Sequence, residues 1–342
     1  VLGFCTAAGG PTAHTAIIAR ALSLPAVVSA GADVLDLING TTIILNGETG
    51  VVTVDPTADV IAQAETLRQQ RQAQRAAALE AASEPATTLD GHRVEVVGNV
   101  GGVTGAAKAM QVGTEGIGLL RTEFLFLERE EAPTEDEQFQ IYRDIVQTMQ
   151  GLPVIVRTLD IGGDKPVPYI DVPTEANPFL GERGIRLCLN RPEIFRQQIS
   201  AILRAASFGP IRIMFPMVAD IEEWRQARAL VKEMQDYLQA PRVELGIMIE
   251  VPSAALMADA FASEVDFFSI GTNDLTQYTL AMDRMHPLLA TKADGLHPAV
   301  LRLIAKTVDA AHQAGKWVGV CGELGSDPKA VPILVGLGVD EL

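Results

Sequence analysis

Arginine presents a planar fork of donors that matches phosphate and carboxylate oxygens. Arg121, Arg157, Arg183 and Arg284 could therefore hold a doubly anionic small molecule between them. Arg186, three residues past Arg183, reads instead as a structural pair partner. Glu250 and Asp274 are hard oxygen donors, and two carboxylates completed by substrate oxygens and water make an ordinary Mg2+ arrangement. Their plainer reading is a surface or ion-pair role. Cys321 is either a buried spectator, since a free cysteine behaves as a small hydrophobe, or a proton donor, since its reference pKa of about 8.5 lies near working pH.

The segment GGPTAHTAIIAR, residues 9–20, sets His14 at or just before the first turn of an expected helix. Exposed backbone N–H groups and the positive end of the helix dipole there favour an attached phosphate. Thr12 and Thr15 add hydroxyl donors, and the glycine pair lets the backbone approach closely. A neutral imidazole nitrogen is a competent nucleophile, so the charge state of His14 matters near pH 6.5. The alternative is a structural hydrogen-bonding histidine. His92, His286, His297 and His312 have no comparable setting.

These groups need positioning, and the pattern around them says how. From about residue 87, apolar runs alternate with amphipathic stretches: VEVVGNV, GIGLL, VIVRTLD, IRIMFPMV, ELGIMIEV, VDFFSIG and WVGVCG. Repeated β–α units over this length predict an α/β fold, a (β/α)8 TIM barrel. An open doubly wound sheet is the alternative, but no Gly-rich dinucleotide turn follows the first strand. In such a barrel, chemistry sits at the C-terminal strand ends. Arg121 and Glu123 follow GIGLL there. Arg157, Asp160 and Lys165 follow VIV. Glu250 follows GIMI, Asn273 and Asp274 follow FFSIG, and Cys321 and Glu323 follow WVGV. Any one of these is an ordinary loop residue, but five such strand ends together point to a site.

Seven strands are clear. An eighth would begin near Val339, so the barrel is expected to be cut short there; its closure is left open, because without strand eight two sheet edges would face each other unpaired at a cost. Residues 1–56 read as a small α/β piece with Gly-rich turns. Residues 57–86, rich in Ala, Gln, Arg and Glu, read as a helical linker, and residues 87–342 as the barrel. The 342 residues carry a formal net charge of −16, which argues against a nucleic-acid partner or an anionic membrane surface. No apolar run reaches the roughly 20 residues of a membrane span. The three cysteines suit reduced thiols in the cytoplasm better than a disulfide framework.

With these residues in place, a resemblance emerges. GGPTAHTAIIARALSLPAVV resembles the phosphohistidine signature of the phosphoenolpyruvate-utilising enzymes, and FFSIGTNDLTQYTLAMDR and GVCGEL resemble the barrel signatures of the same superfamily. GLLRTEFLF, VIVRTLDIGGDKP and NPFLGERGIR are most similar to enzyme I of the sugar phosphotransferase system, phosphoenolpyruvate–protein phosphotransferase. The resemblance covers nearly the whole chain. It implies that phosphoenolpyruvate binds at the barrel mouth with Mg2+, that the phosphoryl group passes to Nε2 of His14 and pyruvate leaves, and that a swivelling phosphohistidine domain delivers the group to the carrier protein HPr. It implies that Arg121, Arg157, Asn273 and Arg284 contact substrate, with Arg183 and Lys165 nearby. It further implies that Glu250 and Asp274 hold the metal, that Cys321 protonates the enolate carbon, and that the barrel forms a homodimer.

Two positions depart from the family pattern. Ala13 stands where the family usually has Ser, and Glu182 stands where close relatives would carry Trp, which implies a divergent branch such as a multidomain phosphoryl-transfer protein. The family's HPr-binding helical domain and the first half of its phosphohistidine domain would precede Val1. Two rivals remain in view. A phosphoenolpyruvate synthase or pyruvate phosphate dikinase would need an ATP-grasp domain, absent from this sequence, and a nucleotide or inorganic phosphate. A non-catalytic sensor would have no need of the thiol.

Overall fold

The computed structural model describes residues 2–9, 19, 24–127, 129–162, 167–170, 175–286 and 288–342. His14 and Lys165 lie outside the described residues, as do Thr12, Ala13 and Thr15. The chain divides into two compact units, Val1–Ala81 and Ala82–Leu342.

In the first unit, β1 (Phe4–Cys5) pairs in parallel with β2 (Ala26–Val27). A hairpin follows, β3 (Ile43–Asn46) against β4 (Val51–Val54). Its turn is held by Asn46, whose side-chain oxygen accepts from the N–H groups of Glu48 and Thr49 at 3.1 Å each, an Asx-type turn. The 24-residue helix α1 (Ala58–Ala81) has no buried residue. Ala, Gln, Arg and Glu are strong helix formers, and propensity with exposed pairs such as Arg68–Glu65 is what supports it.

The second unit opens with a short antiparallel pair, β5 (Ala86–Thr87) and β6 (Arg93–Val94). Seven parallel strands then lie side by side in chain order: β7 (Gly98–Val100), β8 (Ile117–Leu120), β9 (Val154–Arg157), β10 (Ile211–Phe215), β11 (Glu244–Ile249), β12 (Phe267–Ile270) and β13 (Trp317–Val320). Strands β8, β9 and β12 are buried at every residue, as parallel strands covered on both faces must be. Helices cross over between them: α2 (Val103–Gln111), α3 (Glu135–Thr148), α4 (Ile185–Asn190), α5 (Pro192–Ala205), α6 (Ile221–Leu238), α7 (Pro252–Leu256), α8 (Ala258–Ala262), α9 (Thr272–Leu280), α10 (Pro298–Gln313) and α11 (Val331–Gly336).

Two of these helices start at capping boxes that the sequence spells out. Thr134 and Glu137 open α3, and Asp220 and Glu223 open α6, each pair exchanging side chain and backbone bonds. The inner wall of the sheet carries Leu119, Ile155, Met214, Met248, Phe267 and Cys321, with Trp317 against them. Phe267 and Trp317 stack at 4.7 Å, and Gly246 makes room, since a methyl group there would come within 2.6 Å of the Phe267 ring.

Among the described residues no eighth strand joins the seven, but the last three residues link the two edges. Glu341 bridges in parallel both to Gly319 of β13 and to Glu95 ahead of β7. Val320 N donates to Glu341 O at 2.9 Å, Glu95 N to Asp340 O at 2.8 Å, and Val97 N to Leu342 O at 3.0 Å. Residues 340–342 thus stand in the eighth position and join the two edge strands at the N-terminal end of the barrel. His312 reinforces this at 2.9 Å from Asp340, which also accepts from Val318 N at 2.8 Å.

Candidate active site

The strand ends converge on one buried ionic network. Arg157, the last residue of β9, donates from Nη2 to Glu123 at 2.8 Å and lies 3.2 Å from Asp160 through Nη1. Its Nε is buried without a partner among the described residues. Burial opposes its charge, but the neighbouring Glu123, Asp160 and Glu250 outweigh burial and raise its proton affinity further. Arg183 grips two carboxylates at once. Nε and Nη2 reach Asp160 at 3.0 and 3.1 Å, and Nη1 and Nη2 reach Asp274 at 2.9 and 3.0 Å. Arg284 approaches Asp274 at 3.3 Å, and both guanidinium groups lie over the Phe179 ring, at 5.6 and 5.7 Å. Asp274 belongs to the first turn of α9, where the helix dipole favours a carboxylate.

Glu250, just past β11, is 1% exposed and pairs with no arginine among the described residues. Its Oε1 accepts from Met217 N at 2.6 Å. Met217 follows β10 with φ 60, a left-handed conformation uncommon for a residue with a side chain, which aims that N–H at the carboxylate. Gly271 is required beside it, because a methyl group there would come within 3.0 Å of Glu250 Oε2. Burial first, and then Asp274 and Asp160, push the Glu250 carboxyl up to about 8, against the pull of Arg183 and Arg157.

Cys321 is 5% exposed and follows β13. Burial pushes its thiol up to about 11, partly offset by the Ser269 hydroxyl and Arg157. It is therefore a protonated thiol at neutral pH, able to give a proton and ill suited to act as a nucleophile. Asn273 accepts from Glu323 N at 3.0 Å through its side-chain oxygen. Arg121 is exposed and meets no carboxylate among the described residues. Arg186 stands apart, 3.5 Å from Glu223, and Glu182 is tied to Arg191 and Asn190 at 2.8 Å each.

A second set of residues holds these groups. Gln198 of α5 is buried and accepts from Leu159 N at 2.9 Å, while its amide donates to Thr122 at 3.1 Å and to Tyr142 at 3.2 Å. Thr122 in turn donates to Arg157 O at 2.9 Å. One buried amide thereby fixes the ends of β8 and β9 together. Sequence reasoning did not single out Gln198, Met217 or Tyr278, which accepts from Arg183 at 3.2 Å and donates to Phe179 O. A glutamine on the apolar face of a helix pattern was the available signal for the first.

Among the described residues no group of three His, Cys, Asp or Glu is arranged to hold a metal. The donor set nonetheless fits Mg2+ as far as it goes. Two hard carboxylates adjoin, and Glu250 forms no ion pair with an arginine among the described residues, so its oxygens are available to a cation that would displace its proton. Oxygens from substrate and water would have to complete the shell.

Two family models match the chain: the PEP-utilising enzyme mobile domain over residues 1–50 and the PEP-utilising enzyme PEP-binding domain over residues 75–342. The chain is 56% identical over its whole length to a multiphosphoryl transfer protein of Rhodobacter capsulatus, covering 41% of it. It is 50% identical to the phosphoenolpyruvate-protein phosphotransferase of Geobacillus stearothermophilus and 48% identical to that of Bacillus subtilis, over its full length and 60% and 61% of theirs. The chain thus spans about two fifths to three fifths of the length of these curated relatives. A malate synthase of Haloferax volcanii shares the barrel at a TM-score of 0.50 and 14% identity, over 72% of this chain and 65% of that one, a likeness of fold alone. By sequence along its whole length, this chain belongs to the PEP-utilising enzymes.

Proposed function

We propose that the chain transfers the phosphoryl group of phosphoenolpyruvate to His14 with release of pyruvate, and that it passes the group to the carrier protein HPr in a sugar phosphotransferase system. The observation that carries this reading is the convergence of Arg157, Arg183 and Arg284 with Glu250, Asp274 and Cys321 at one barrel mouth, in a chain about half identical to phosphoenolpyruvate-protein phosphotransferases. In this reading residues 1–56 form the mobile phosphohistidine part, residues 57–86 the linker and residues 87–342 the substrate barrel. The protein works in the cytoplasm as a homodimer; no helix among the described residues is long and apolar enough to cross a membrane.

The residues divide the work. Arg121, Arg157 and Arg284 hold the phosphate and carboxylate of the substrate, with Asn273 presenting its amide and Arg183 and Lys165 adding positive charge. The Nε of Arg157, without a partner among the described residues, is a donor suited to such an oxygen. Glu250 and Asp274 would hold Mg2+, which supplies charge stabilisation on the transferring phosphoryl oxygens. Asp274 is now bound by Arg183 through both its oxygens, and would share them with the metal. As the phosphoryl group leaves for the His14 ring nitrogen, the enolate forms, and the Cys321 thiol gives its proton to the methylene carbon to make pyruvate. Positioning and fixed charge do most of the catalytic work.

The test is the intact mass of the protein after mixing with phosphoenolpyruvate and Mg2+, beside His14→Ala. One acid-labile phosphoryl group on the wild type and none on the variant is expected, without nucleotide or inorganic phosphate. Pyruvate formation without any phosphoryl gain would refute the reading. A second reading, that the piece works as one module of a multidomain phosphoryl-transfer protein, is favoured by the 56% identity to a multiphosphoryl transfer protein.

A further inference from the structure

A second buried acid lies inside the barrel, away from the ionic network. Glu341 is 3% exposed, and its carboxyl makes no hydrogen bond or ion pair among the described residues. It fits only because two strands carry glycine beside it. A methyl group on Gly319 would come within 2.7 Å of Glu341 Oε1, and one on Gly118 within 2.9 Å. Gly319 lies two residues before Cys321, so the two face the same side of β13, the inner wall. Directly across from Gly319 in register is Ser269 of β12. The Ser269 hydroxyl is buried with no hydrogen-bond partner among the described residues, and it eases the Cys321 thiol back down from the rise that burial causes. Three polar groups therefore share one wall of the barrel: the Cys321 thiol, which donates to Ile270 O at 3.7 Å, the Ser269 hydroxyl and the Glu341 carboxyl.

We infer that Glu341 supplies the proton that restores the Cys321 thiol after each turnover, passed through the Ser269 hydroxyl. The inference rests on the reading that Cys321 protonates the enolate carbon. In that step a C–H bond forms and the S–H bond breaks, leaving a thiolate. The Ser269 O–H then gives its proton to the sulfur while taking the proton of the Glu341 carboxyl, which becomes a carboxylate. Solvent returns one proton to Glu341, so the sum over a cycle is one solvent proton moved into pyruvate. Glu341 touches no substrate and acts through Cys321 alone.

The direction of transfer is downhill. Burial first, with Glu95 and Asp340 adding and Arg212 opposing, pushes the Glu341 carboxyl up to about 8, whereas burial pushes the Cys321 thiol up to about 11. Glu341 therefore keeps a proton at neutral pH and still yields it to a thiolate. A cleft of about 330 Å³ at the N-terminal side of the barrel is lined by Glu95 and Arg212, the same two groups that act on Glu341. In this inference solvent protons reach Glu341 from that cleft.

The experiment is the exchange of labelled pyruvate into phosphoenolpyruvate by the intact protein with Mg2+ in D2O, with deuterium in the pyruvate methyl group counted alongside. The readout is deuterium gained per pyruvate exchanged, for wild type, Glu341→Gln and Ser269→Ala. In both variants this ratio is expected to fall about tenfold or more, because the thiol proton is recycled internally once its supply is cut. An unchanged ratio in both variants overturns the inference. So does a parallel loss of exchange and deuterium, which is what a merely structural role would give. Absence of label exchange in the wild type overturns the reading of Cys321 and the relay with it.

Discussion

Arg157 uses its two terminal nitrogens on Glu123 and Asp160, and its Nε has no partner among the described residues. A buried donor without a partner costs about 1–3 kcal/mol, which a substrate oxygen placed there would recover. Arg157→Lys keeps the charge but loses the fork, so KM for phosphoenolpyruvate is expected to rise about tenfold or more in a pyruvate-release assay. Cys321→Ala is expected to leave phosphoenolpyruvate binding by calorimetry unchanged and to lower the rate of pyruvate formation by about 10²–10⁴. The types of these residues were legible before any coordinates, because arginine, carboxylate and thiol each follow an apolar run. Their pairings were not. Nothing in the sequence says that Arg183 joins Asp160 to Asp274, which lie 114 positions apart along the chain, or that Met217 turns its backbone N–H toward Glu250. Those contacts depend on which strands are neighbours and on a backbone conformation that residue type alone disfavours.

Helix α5 acts on the site without entering it. Gln198 ties β8 to β9 through Leu159 N, Thr122 and Tyr142, all within the core. Gln198→Leu leaves these groups unpaired and is expected to destabilise the protein by about 1–3 kcal/mol in denaturant titration, with a rise in KM as Arg157 shifts. Asp220→Ala, which removes the cap of α6, is expected to cost about 1 kcal/mol with KM unchanged, and so separates stability from site geometry. Strand and helix order were readable from the alternation of apolar runs with amphipathic stretches, and both capping boxes stood in the sequence as T-E-D-E and D-I-E-E. The eighth strand position was not readable, because three residues are too few to show a period.

At the scale of the whole molecule, the proton held by Glu341 links stability to pH. A carboxyl pushed up in the folded state favours folding when protonated, so its contribution is complete below the ordinary carboxylate range and is lost as pH rises through about 8. The melting temperature is expected to fall between about pH 5 and about pH 8, and to fall less in Glu341→Gln. Glu250 adds a slope of the same sign, so the difference between the two proteins isolates Glu341. The closure that places Glu341 also bears on how the chain acquires its shape. Glu95 and Glu341 are bridged across nearly the full length of the second unit. Contacts so distant in sequence close late, after the loop between them has been ordered. During synthesis the outer edges of β7 and β13 wait with unpaired backbone groups until residues 340–342 emerge, an interval in which a nascent barrel is most exposed to pairing with a neighbour and most in need of a chaperone.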